Sequence, residues 1–139
     1  MKPLSPSADR VCCIAVEHFA DRGYDASSLN DIAEQAGMRK ASLYAHFANK
    51  DALYLAALGK AADAETTFAQ AHFSAAEPDA DQRWFEGLRA RYHGSVNLRF
   101  LLRAAFYPPA ALREPIGEVF EGYLDYLKRA PSAPSRSAR

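Results

Sequence analysis

From Val11 to Leu127 apolar side chains recur at three- and four-residue spacing, broken at Gly23, at Gly37, across Glu77, Pro78 and Asp79, and at Pro108 and Pro109. That spacing is the period of an α-helix, and glycine or proline marks where each helix stops. No stretch alternates with the period of a half-buried strand. The fold class expected is all-α.

The first helix carries Val11, Ile14, Ala15, His18 and Phe19 on one side, with Asp9 or Ser7 as its cap and Gly23 as its stop. Ser27 and Ser28 precede a second, short helix, with Asp31 in a capping-box relation to Ser28 and Ile32, Ala33 and Ala36 facing inward. Gly37 ends it, and a third short helix fits Lys40 to Phe47, with Leu43 and Phe47 as its core pair. Helix, short helix, glycine turn and short helix is the helix-turn-helix order. An alanine-rich helix follows from about Lys50 to Phe73, with Leu53, Ala57, Ala61, Ala64 and Phe68 along one side. Another starts near Gln82 with Trp84, Phe85, Leu88, Tyr92 and Val96; Asn97 and Arg99 interrupt an apolar run that continues through Phe100, Leu101 and Leu102. The last spans Glu114 to Arg129, with Ile116, Val119, Phe120, Tyr123, Leu124 and Leu127 as its apolar stripe. Residues 130–139, APSAPSRSAR, hold no apolar side chain larger than alanine or proline and are expected to be disordered.

Basic and acidic residues number 17 each, so no uniformly basic coat for nucleic acid exists. The four basic residues Lys128, Arg129, Arg136 and Arg139 follow the last acid, leaving 13 basic against 17 acidic residues before them. Nucleic-acid binding must therefore come from local charge placement. Ala52 to Leu58 is among the longest apolar runs, far short of the roughly 20 residues of a membrane span. The N-terminus lacks the apolar region of a secretion signal, so the expected location is cytoplasmic, with no membrane contact. Cys12 and Cys13 are adjacent, which disfavours a disulfide between them, and no further pair stands at zinc spacing; one packed and one more exposed thiol are expected, and no metal or cofactor.

Local charge does concentrate. Between Glu34 and Asp51 there is no acid, while Arg39, Lys40, His46 and Lys50 all fall in that window. A helix in the major groove needs base-edge donors near its N-terminus and phosphate donors along its flanks. Arg39 and Lys40 suit the first task, and Ala41 allows close approach and can touch a thymine methyl. Ser28, Ser42, Tyr44, His46 and Lys50 are donors of the kind that fix register on phosphates. Each alone is equally an ordinary surface or cap residue, and Lys50 is either a solvated first-turn lysine or a phosphate partner; the joint spacing carries the reading.

Those residues carry a resemblance. Residues 10–53 resemble the DNA-binding domain of the TetR family of bacterial transcriptional regulators, through GYDASSLNDIAEQAGMRKASLYAHFANKDAL and the preceding helix with Arg10, Ala15 and Phe19. Leu43, Tyr44, His46, Phe47 and Lys50 match the family's LYxHFxxK run. The resemblance implies a helix-turn-helix domain over 7–53, with its motif at about 28–47. It further implies a long linking helix and a partial helical effector-binding and dimerisation domain over 54–129. By position it implies DNA contacts at Ser28, Lys40, Ala41, Ser42, Tyr44, His46 and Lys50. One position departs: Arg39 stands where the family usually has a serine capping the recognition helix, so the helix loses about 1 kcal/mol of cap stability and gains a long donor.

The segment RFLLRAAFYPPAALREPI resembles the effector region of some members more loosely. Trp84, Tyr92, His93, Asn97, Phe100, Arg103, Phe106, Tyr107 and Tyr123 are the candidate effector-binding residues, and an aromatic stripe at helical spacing is equally a core. The family's two further long helices have no counterpart after Arg129, so the expectation is a truncated C-terminal domain and a weakened homodimer or heterodimer. The function expected is a DNA-binding transcriptional regulator, a repressor released by a small molecule, with double-stranded operator DNA as partner. The alternative is a truncated subunit that pairs with a full-length relative without binding DNA tightly itself. An enzyme is not expected: no GxSxG elbow, phosphate loop or metal-ligand helix motif is present, and Ser42 and His46 lack an orienting carboxylate.

Overall fold

The computed structural model describes residues 4–74 and 78–129. They form seven α-helices and one 3-10 turn: α1 (Pro6–Ala26), α2 (Leu29–Gln35), α3 (Lys40–His46), α4 (Lys50–Ser74), α5 (Ala80–Gly94), α6 (Val96–Phe106), the turn Ala110–Leu112, and α7 (Arg113–Arg129). The all-α class is what the periodicity implied. The tail expected to be disordered, 130–139, lies outside the described residues.

The cap of α1 is Ser5, whose hydroxyl accepts from the Ala8 N–H at 3.2 Å, with Pro6 at the first helical position. Neither Ser7 nor Asp9 caps it; Asp9 instead pairs with Lys60 of α4 at 2.7 Å, a contact 51 residues distant that no local pattern announces. Gly23 does interrupt α1, at φ 83°, a conformation a side chain would resist, and one more turn runs to Ala26. Gly37, at φ 72°, turns the chain from α2 into α3.

Alanines at 57, 61 and 62 of α4 are buried and let neighbouring helices approach closely, and α1, α6 and α7 all pack on α4. The buried side of α4 is Leu53, Tyr54, Ala57, Leu58, Ala61, Ala62, Glu65 and Ala69; Ala64 and Phe68, expected on it, are exposed. An aromatic node of Phe19, Tyr54 and Phe100 locks α1, α4 and α6, with ring centroids 4.9 to 5.7 Å apart. The core is continuous from the N-terminal helices into α6 and α7, and a division after residue 53 falls inside α4.

The second half departs from the expected single run through residues 82–102. The chain breaks at Ser95, whose hydroxyl caps α6 by accepting from Leu98 N–H at 3.1 Å, and Asn97 and Arg99 sit inside α6. A serine cap after Gly94 outweighs the apolar continuity on either side. In α7, Ile116 is buried and Leu124 is 48% exposed, so the stripe is covered at its start and open toward its end.

Candidate nucleic-acid interface

In α3 only Leu43 is buried; Lys40, Ala41, Ser42, Tyr44, Ala45 and His46 are all exposed. With Phe47 just beyond, Leu43 inserts into the core that α1 and α2 share, so one apolar anchor turns the remaining face outward. The helix is positioned from both sides. Arg10 of α1 donates to the Ala36 carbonyl at 3.1 Å, and buried His18 meets Gln35 at 2.8 Å, fixing the C-terminal end of α2 against α1. Ser28 caps α2 by accepting from Asp31 N–H at 3.3 Å, while the Asp31 carboxylate pairs with Arg22 at 3.6 Å.

Arg39 stands at the start of α3 with no side-chain cap bond, as its departure from serine implies, and its side chain is exposed. Lys40 Nζ lies 5.8 Å from the Tyr44 ring centroid, placing charge and hydroxyl on one face. Lys50 sits 4.3 Å over the ring of Tyr24, whose hydroxyl donates to Asp51. Tyr24 is pushed up to about 12, by burial first and by Asp51 second, and stays a neutral platform for the ammonium. Tyr24 belongs to none of the periodic stripes; an aromatic directly after the Gly23 stop is its signal in the sequence. Asn49, also passed over, caps α4 by accepting from Ala52 N–H at 2.8 Å. Exposed hydroxyl, ammonium, guanidinium and imidazole groups thus share one acid-free stretch from 35 to 50.

The effector candidates do not gather at one place. Phe100 belongs to the core node, at 1% exposure. Trp84 packs on Phe68, His72 and Phe73 with centroids 5.3 to 5.6 Å apart. Tyr92, Arg103, Phe106 and Tyr107 border one hollow of about 540 Å³ beside the end of α1. Asn97 borders a groove between α1 and α4 instead, His93 is exposed on α5, and Tyr123 is half-buried on α7. The polar centre of this half is one the sequence reading missed. Glu65, 3% exposed, accepts from Arg91 at 2.5 Å on both oxygens and from Ser95 at 3.1 Å, and Arg91 lies 3.3 Å over Phe68. Its signal was an acid four residues after Ala61 on the buried side of α4. Burial, with Glu65 adding to it, raises the Tyr123 hydroxyl. Among the described residues no cluster of His, Cys, Asp and Glu could hold a metal ion, and no helix is long and apolar enough to cross a membrane.

Residues 14–57 match the family described as bacterial regulatory proteins, tetR family. The HTH-type transcriptional activator FasR of Mycolicibacterium smegmatis is 49% identical over 61 residues, which are 44% of this chain and 28% of that protein. The negative transcriptional regulator IcaR of the icaADBC biofilm operon of Staphylococcus epidermidis is 39% identical over 46 residues, 33% of this chain and 25% of that one. The chain thus spans about a quarter of the length of the curated relatives it matches. In fold, it is similar to the fatty acid degradation regulator FadR from Bacillus halodurans, at a TM-score of 0.73 and 20% identity, over 89% of this chain and 66% of that chain. The relatives are named as regulators of transcription, activator and repressor both, rather than as enzymes.

Proposed function

We propose that this chain, whose residues 14–57 match the tetR family of bacterial regulatory proteins, is an operator-binding transcriptional repressor released by a small molecule. The observation that carries the DNA reading is α3: seven residues, one buried, six presented outward inside an acid-free stretch. Arg39 and Lys40 reach base edges, Ala41 lets the helix come close, and Ser28, Ser42, Tyr44, His46 and Lys50 hold phosphates. Two copies reading half-sites about one helical turn apart sum their contacts.

The chain covers only part of its relatives, so operator, effector and dimer are parts of this proposal rather than carried over. Selection of bound fragments from random double-stranded DNA by the full chain tests the reading. Enrichment of one motif, lost in Lys40→Ala and Tyr44→Phe, supports it. Recovery of no motif above the input pool refutes it.

A further inference from the structure

We propose that the hollow between the C-terminal end of α1 and the 107–112 connection is a binding site for a small carboxylate with an aromatic or alicyclic body, with Arg103 as its anion receptor. The hollow measures about 620 Å³, within the usual size of small-ligand sites. Tyr54, Tyr107 and Pro108 supply apolar walls.

Arg103 reaches it from α6, and its Nη1 donates to the carbonyls of Ala20 at 3.1 Å and Asp21 at 3.5 Å, in the last regular turn of α1. Arg22, Arg91 and Arg99 each meet a carboxylate, whereas no carboxylate among the described residues stands within ion-pair distance of Arg103. Its remaining edge, Nη2 and Nε, is the one able to take a carboxylate with two parallel bonds. That edge borders the place where a side chain on Gly23 would begin, 3.0 and 3.1 Å from a Cβ there. Glycine at residue 23, at φ 83°, is what lets the guanidinium stand this close to the end of α1, where a side chain would collide with it.

A second donor lies in the same wall. Tyr54 is 3% exposed, and its hydroxyl has no hydrogen-bond partner among the described residues. Burial pushes it up to about 12, so it remains a donor at any physiological pH. Asp25 and Asp51 also border the hollow, as does Arg22, which pairs with Asp31, and Asp51 already accepts from Tyr24. The charge of the two aspartates disfavours a polyanion more strongly than a monoanion.

Occupation acts on the DNA-reading helices through α1. The Arg103 bonds hold the end of the helix that, through Arg10 and His18, fixes α2 and so α3. A carboxylate that turns the guanidinium toward itself weakens that hold and lowers operator affinity; this consequence rests on the regulatory reading above.

Calorimetric titration of the full chain with benzoate, its neutral isostere benzamide and inorganic phosphate tests the site without DNA. Saturable binding of benzoate alone is expected. Loss of one charge-assisted contact predicts roughly 10- to 100-fold weaker binding in Arg103→Met. Tyr54→Phe removes only a hydroxyl from a buried ring and predicts roughly 3- to 10-fold weaker binding with the fold kept. Absence of saturation at about 1 mM benzoate, equal binding of benzamide, or unchanged binding in both variants overturns the site. Benzoate binding that leaves operator affinity unchanged overturns the coupling alone. A chain that selects no DNA sequence fails the regulatory reading and leaves the titration to decide the site.

Discussion

Replacing Leu43 by alanine separates the anchoring of α3 from its reading of DNA. Leu43 is the one buried side chain of a seven-residue helix whose N-terminus has no side-chain cap bond. So short a helix has no independent stability in water, and its order is borrowed from that anchor. Truncating a fully buried leucine costs about 2–5 kcal/mol, against a total stability of about 5–15 kcal/mol for an ordinary domain. The chain stays folded, and its melting temperature falls by about 10 °C for a loss of about 3 kcal/mol. Six of the seven side chains of α3 are outward, so loosening the anchor disorders the whole proposed reading face, and operator affinity should fall at least about tenfold. Lys40→Ala is the opposite perturbation. An exposed lysine leaves stability within about 0.5 kcal/mol, yet losing a base-edge donor weakens binding to the selected motif by about 1–3 kcal/mol. Both variants are measured by thermal melting and by operator titration at several salt concentrations. A Leu43→Ala protein that melts lower and binds operator as tightly as the parent refutes the reasoning, because α3 would then not be placed by this contact or would not be the reader.

Three further outcomes follow from single contacts. Glu65→Ala strands Arg91 and should destabilise the fold by about 3–5 kcal/mol, whereas Glu65→Leu with Arg91→Met should recover most of that in urea unfolding; equal losses would mean the pair contributes nothing specific. Arg39→Ser supplies the missing acceptor at the start of α3, stabilising by about 0.5–1 kcal/mol while altering the selected operator sequence; unchanged preference would remove Arg39 from the base readers. Cys13, which is exposed, should react with a disulfide reagent in the folded chain, and Cys12, which is buried, only on unfolding. Burial lifts Cys12 from an ordinary value of 9.0 to about 11, so the unfolded chain ionises first. Below pH 9 that thiol leaves stability untouched, and between 9 and 11 stability falls by up to about 1.4 kcal/mol per pH unit, a slope that Cys12→Ala should flatten.

The regulatory relatives give the local reading its context without extending it. The family match falls on residues 14–57, where charge, caps and glycines outline the helix-turn-helix. Over α5 to α7 the likeness is one of fold, at 20% identity, and the chemistry of that half has to be argued from its own side chains. There the buried Glu65–Arg91 pair and the open edge of Arg103 are the features with consequences, and neither belongs to a periodic pattern.

Whatever depends on neighbours within about four residues was legible in the chain alone: the helical period, the stops at Gly23 and Gly37, the Ser28 cap, the uncapped Arg39, and Leu43 with Phe47 as the inward pair of α3. Tertiary structure decided what depends on partners far along the sequence. It moved the first cap to Ser5 and gave Asp9 to Lys60, drew Phe100 into the core beside Phe19, split the expected helix at Ser95, and set Lys50 over Tyr24. It also set Arg103, more than 80 residues away, against the end of α1. The physical reason is that helix periodicity and capping are energies of adjacent residues, whereas ion pairs, ring contacts and hollows depend on which helix faces meet. That choice is made by packing of the whole core, and its result is not written at either partner's position.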